Sequence, residues 1–163
     1  FKRFSYMVMY KLAVPNMLTD IDRCIFLDVD TLVDGSLDEL WETDMQGNCF
    51  GIVLEHKTCR EKGSDNYFNA GVLLMDTKKI RELGVSDYLL QRASILNSAY
   101  LEQDTLNLYA QDLIYRLDSK WNFGPTTKWP DERPRIRHYM DFPKAWDNRC
   151  RDGLWQKYYT EKL

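Results

Sequence analysis

Cys24-Ile25-Phe26-Leu27-Asp28-Val29-Asp30 is the stretch that decides the fold. Four apolar residues in a row are too few for a helix and suit a buried central β-strand. Two carboxylates follow at i and i+2, where extended backbone points both to the same side. In open α/β sheets ligands bind beyond the carboxyl ends of the strands. There, Asp28 and Asp30 can hold a hard divalent cation through oxygen, and the cation can neutralise a diphosphate. Taken alone, the triplet more often marks an ordinary polar turn, and its position after a buried strand is what favours the functional reading. A calcium loop counted from Asp28 would use Asp30 and Glu39, but Leu32 and Val33 stand where a ligand and the turn glycine belong.

Outward from this stretch, the pattern alternates between strand and helix. Tyr6 to Leu18 has a mixed apolar pattern in which Pro15 ends or kinks a helix. Ser36-Leu37-Asp38-Glu39 is a capping box, which predicts a short helix carrying Leu40 and Trp41 inward. Phe50 to Leu54 and Gly71 to Met75 read as strands, and Thr77 to Leu83 as a helix. Ser86 to Leu96 reads as a helix capped by Ser86, with Tyr88, Leu89 and Ala93 on its buried face. A helix over Leu101 to Gln111 and a short strand over Asp112 to Leu117 follow. Gly124, Pro125, Pro130 and Pro134 mark a long loop before a last edge strand at Ile136 to Tyr139. The expectation is one α/β domain with a mixed sheet flanked by helices.

The composition agrees. A chain of 163 residues suits one compact domain, and 44% hydrophobic with 29% charged residues excludes a disordered or low-complexity chain. The net charge of -3 gives no global pull towards nucleic acid, and no apolar run reaches the length of a membrane span. Cys24, Cys49, Cys59 and Cys150 form no C-x-x-C pair and read as the reduced thiols of a cytosolic protein. The chain opens at Phe1, without Met and already inside patterned sequence, so it is expected to be a piece of something longer.

Three further constellations carry chemistry. In Tyr67-Phe68-Asn69-Ala70-Gly71-Val72-Leu73-Leu74, Asn69 and Gly71 let amide and backbone groups approach a hydroxylated ligand, or simply turn into a core strand. In Leu101-Glu102-Gln103-Asp104-Thr105-Leu106-Asn107, the acidic residues also fit a helix dipole. His138-Tyr139-Met140-Asp141-Phe142-Pro143-Lys144-Ala145-Trp146 brings together an imidazole, an ammonium suited to phosphate and an indole. Tertiary proximity decides whether His138 shares a metal with Asp28 and Asp30. Trp121-Asn122-Phe123 reads as part of the core.

In this order, from about Ser5 to Trp146, these segments resemble the family 8 retaining glycosyltransferases, especially bacterial lipooligosaccharide galactosyl- and glucosyltransferases and, more distantly, glycogenin. The resemblance implies a GT-A fold. It also implies a UDP-galactose or UDP-glucose donor, Mn²⁺ (with Mg²⁺ as a substitute) and a glycan acceptor such as a lipooligosaccharide or surface polysaccharide. Asp28, Asp30 and His138 match the metal ligands. Lys11, Asp28, Val29, Asn69, Ala70, Gly71, Glu102, Gln103 and Lys144 match donor-binding positions, and Gln103 and Glu102 are the candidates at the reacting centre. The location implied is cytoplasmic, at the inner face of the plasma membrane.

Some positions depart from the family pattern. Lys11 stands where an Arg is common, which weakens bidentate contact with the donor. Asp141 replaces a Gly, where its charge repels a diphosphate unless it points away or helps to hold the cation; Ala145 replaces a Pro. The catalytic domain is read as 1–146. The tail 147–163, with Arg149, Arg151, Trp155, Lys157, Tyr158, Tyr159 and Lys162, reads as a membrane-surface contact or a solvated end. The strand–helix–strand region that grips uracil and ribose in the family is expected before Phe1. Two alternatives stand beside this reading. One is a phosphatase of the haloacid dehalogenase type, which also opens strand then D-x-D but needs a Thr where Leu32 stands. The other is a non-catalytic fragment that binds sugar nucleotide or glycan.

Overall fold

The computed structural model describes residues 6–147, 149–150 and 152–160. Ser5, where the resemblance begins, and Arg151 and Lys162 of the tail lie outside the described residues. A 3₁₀ turn leads into α1 (Tyr10–Met17), then β1 (Cys24–Leu27), β2 (Thr31–Val33) and α2 (Asp38–Trp41). Next come β3 (Phe50–Leu54), α3 (His56–Lys62), β4 (Phe68–Met75), α4 (Thr77–Glu82), α5 (Val85–Ile95) and α6 (Leu101–Tyr109). The series ends with β5 (Ile114–Leu117), β6 (Ile136–His138) and α7 (Gly153–Thr160).

The main sheet has the order β1-β4-β3-β5. β4 runs antiparallel to both β1 and β3, whereas β5 runs parallel to β3, so the sheet is mixed as expected. Every residue of β3 and β4 is buried, and their side chains alternate between two cores. Ile52, Leu54, Leu73 and Met75 join Leu12, Ile80, Leu89 and Leu106 on the face covered by α1, α4, α5 and α6. Val53, Val72 and Leu74 join Leu40, Leu117, Trp121 and Ile136 on the other.

Several expectations are corrected. β1 is not central: it is an edge among the described strands, all four of its residues are half-buried, and β3 and β4 hold the centre. A short apolar run does not distinguish one buried face from two. β4 begins at Phe68, so Asn69 and Gly71 lie within the strand rather than ahead of it. Trp41 is 43% exposed, because α2 is a single turn that can bury only Leu40. Ser86 does not cap α5; Gly84, in the left-handed region at φ 64, precedes the helix, and Ser86 is buried inside it. Tyr88 is on the exposed side of α5. β6 does not extend the main sheet but pairs antiparallel with β2 as a separate ribbon, with His138 opposite Thr31.

Candidate active site

The polypeptide leaves β1 at Leu27 and turns at once. Asp28 N–H donates to Gly71 O at 2.8 Å, extending the β1–β4 ladder by one rung. Asp28 O then accepts from Thr31 N at 3.1 Å and from Thr31 Oγ1 at 2.8 Å. This tight turn, not extended backbone, converges the two carboxylates; Val29, at its tip, is 92% exposed. The β2–β6 ribbon folds back over the turn, and Tyr139 N–H donates to Asp30 O at 2.9 Å. His138, 108 residues beyond Asp30 in sequence (138 − 30), is thereby set beside it.

His138 Nε2 lies 3.2 Å from Asp30 Oδ1 and 3.9 Å from Asp28 Oδ2. One ligand atom from each of the three residues lies within 4.8 Å of the others. Adjacent ligands on an octahedral hard cation are ~3 Å apart, so two carboxylates and an imidazole at these separations fit such an ion and leave further positions open. Asp30 is buried, which raises its carboxyl pKa, but hydrogen bonds and charge from His138 and Lys144 outweigh this and hold it well below the usual range. Lys144 Nζ donates to Asp30 Oδ2 at 2.6 Å and to Tyr139 O at 2.8 Å.

On the opposite wall, α1 delivers Lys11, which is 3% exposed. Its ammonium donates to Asp28 Oδ1 at 2.9 Å, Ala70 O at 3.0 Å and Glu102 Oε1 at 3.3 Å. Three acceptors in three directions suit an ammonium better than a planar guanidinium. The lysine that departs from the family pattern thus joins Asp28 to the first turn of α6. Glu102 Oε2 is buried without a hydrogen-bond partner, on the wall of the cleft. Gln103 is fully engaged: Oε1 accepts from Ala70 N at 3.0 Å, and Nε2 donates to Glu55 Oε2 at 3.1 Å and contacts Tyr67 Oη at 3.2 Å.

These walls enclose an open cleft of about 560 Å³. Lys11, Asp28, Val29, Asp30, Asn69, Glu102, Gln103, His138 and Lys144 all line it. Ala70 and Gly71 lie behind them, and Gly71 is where His138 packs: a Cβ there would sit 2.0 Å from the imidazole Cε1. Asp141 lines the cleft but stands outside the three-residue ligand cluster, and Ala145 is buried.

Sequence reasoning missed two buried residues, Glu55 and Asn122. Glu55 accepts from Thr58 Oγ1 at 2.6 Å and Asn69 Nδ2 at 2.9 Å, as well as from Gln103. It follows the apolar strand β3 just as Asp28 follows β1, so the rule that located Asp28 also applies to it. Asn122, read as core, contacts His138 Nδ1 through its Oδ1 at 2.9 Å.

The mixed α/β fold is of the GT-A glycosyltransferase type. The family model for glycosyl transferase family 8 matches residues 1–150, and the chain belongs to that family. Over 154 residues it is 31% identical to the glycosyltransferase GlyF of Streptococcus pneumoniae serotype 4, covering 85% of this chain and 38% of GlyF. Its fold matches the crystal structure of the galactosyltransferase LgtC in complex with donor and acceptor sugar analogues, with a TM-score of 0.75 and 23% identity over 98% of this chain and 67% of that one. It also matches GlyE of S. pneumoniae TIGR4, with a TM-score of 0.74 and 25% identity over 92% of this chain and 42% of GlyE. The chain spans less than half the length of the curated relatives it matches first. Membership of this family replaces the phosphatase reading. No described helix is long and apolar enough to cross a membrane.

Proposed function

We propose that this chain carries the metal, diphosphate and sugar half of a retaining hexosyltransferase that moves galactose or glucose from a UDP-sugar to a glycan acceptor. The observation that carries the reading is the convergence of Asp28, Asp30 and His138 at the carboxyl end of β1. Two carboxylates and an imidazole suit Mn²⁺, with Mg²⁺ as the alternative. When bound, the cation supplies charge neutralisation for the donor diphosphate.

The protein's own groups supply the rest. Lys144, beside Asp30, is placed to share the charge that develops on the departing diphosphate. Glu102 Oε2, an unpartnered buried acceptor, suits a sugar hydroxyl, and Lys11 holds the other Glu102 oxygen in place. In the transfer, the bond from the anomeric carbon to the diphosphate oxygen breaks and the acceptor oxygen takes that carbon. The acceptor proton passes to the leaving phosphate, so no side chain need serve as general base. Gln103 Oε1 already accepts the Ala70 N–H, which favours a positioning role for it on the donor side over attack. The acceptor is a lipooligosaccharide or other surface glycan, met at the inner face of the membrane.

The test is Mn²⁺-dependent turnover of a UDP-sugar panel by the full-length protein, with Asp28→Asn and Asp30→Asn variants. Each variant is expected to lose at least 100-fold in activity, in the range found when electrostatic stabilisation of the leaving charge is removed. Unchanged turnover in both would sink the reading. Metal-dependent UDP binding with no turnover by the wild type would favour a binding module instead.

A further inference from the structure

We propose that Asn122 is a positioning residue for His138: its amide oxygen holds the imidazole with a proton on Nδ1, leaving Nε2 turned to Asp28 and Asp30. This deepens the metal-site reading above and rests on it for its purpose, though not for its geometry.

The directions of the hydrogen bonds follow from groups whose roles chemistry fixes. The backbone N–H of Gly71 can only donate, and it meets Asn69 Oδ1 at 3.0 Å. A Glu55 carboxylate accepts, and it meets Asn69 Nδ2 at 2.9 Å. The Asn69 amide is therefore oriented from both ends. Its oxygen also faces an Asn122 amide group at 2.8 Å, which must be the NH₂, and that group lies 3.3 Å from Asn69 O as well. The oxygen of Asn122 is then the atom 2.9 Å from His138 Nδ1. A carbonyl oxygen at that distance accepts, so Nδ1 carries a hydrogen whether the ring is neutral or cationic.

Packing holds the ring in this pose. Asn122 is 0% exposed and His138 5%, so water does not compete for the bond. A Cβ on Gly71 would lie 2.4 Å from Nδ1, which shows how closely the ring rests on β4. A buried asparagine beside Trp121 is costly unless both ends of its amide are satisfied, and here both are. Hydrogen bonds behind a ligating histidine fix its tautomer and orientation, and their loss typically costs 10–100-fold in metal affinity.

The experiment uses full-length protein labelled with ¹⁵N-histidine, with His138 assigned by comparison with His138→Gln. In metal-free wild type, Nδ1 of His138 should show a protonated ¹⁵N shift and a slowly exchanging N–H signal. Asn122→Leu should lose that protected signal and weaken Mn²⁺ binding by calorimetry ~10–100-fold. Asn122→Asp keeps an acceptor oxygen and should retain the signal. An unprotonated Nδ1 in the wild type overturns the proposal, and this spectrum decides even where the leucine variant fails to fold. So does a folded Asn122→Leu with signal and Mn²⁺ affinity unchanged. If the wild type binds neither Mn²⁺ nor Mg²⁺ but the signal is present and Asn122-dependent, the orientation stands and the metal-site reading falls.

Discussion

At Asp30, burial and charge act in opposite directions, and charge wins through His138 and Lys144. A carboxyl whose pKa is lower in the folded state than its unfolded value of ~3.9 adds stability above that value and loses it as the pH falls. The metal-free wild type should therefore lose urea resistance between pH 5 and pH 3 more steeply than Asp30→Asn, and equal slopes would refute this account. Lys11 faces Asp28, with a side chain 31% exposed, and Glu102, with one 10% exposed. Lys11→Met strands both carboxylates and should cost towards the lower end of the ~3–5 kcal/mol typical of a broken buried pair, read from denaturant midpoints. Asp28 was legible in the sequence because a carboxylate directly after an apolar strand is an unusual place to spend charge. Glu55 stands in the same relation to β3, but with Lys57 rather than a second carboxylate at i+2 its local sequence carries no cation-binding signal. Asn122 was not legible, since an asparagine between aromatics looks the same whether it fills space or orients a ring.

At the scale of elements, β4 is what joins the site to the core. Its Leu73, Leu74 and Met75 end is buried on both faces, while Asn69, Ala70 and Gly71 at the other end meet Glu55, Lys11, Gln103 and His138. Gly71→Ala must push the imidazole aside, and should destabilise by ~1–3 kcal/mol while also weakening Mn²⁺ binding. Thermal melts and calorimetry on that one variant report both effects. β3 and the Gly71–Met75 part of β4 were legible as strands because each is an apolar run, but their central place was not, since the run in β1 looks the same and lies at an edge of the described sheet. The start of α5 was misread because Ser86 looks like a cap, whereas the turn is made by a left-handed glycine two residues earlier. The β2–β6 ribbon left no local mark: its partners lie about a hundred residues apart, and three-residue strands carry too little pattern.

At the scale of the whole molecule, the tail, read as a membrane-surface contact or a solvated end, contributes α7, and α7 packs back towards the site. Trp155 meets Tyr139 at 5.8 Å and Trp146 at 6.0 Å between ring centroids. Tyr158 Oη donates to Asp34 Oδ1 at 2.8 Å, and Tyr139 Oη to Asp152 Oδ2 at 2.9 Å. Trp155→Ala should lower stability by ~0.5–1.5 kcal/mol for each ring pair lost and loosen the segment after His138, which faster amide exchange at Tyr139 would reveal. The ribbon that closes the site also sets an order of assembly. The four described strands of the main sheet have been synthesised once Leu117 emerges, yet His138 emerges 21 residues later (138 − 117). A ribosome-bound chain can thus form these strands before His138 is available to sit beside Asp28 and Asp30. Closure of the site is then a late, long-range event in folding, because the ribbon joins residues about a hundred positions apart.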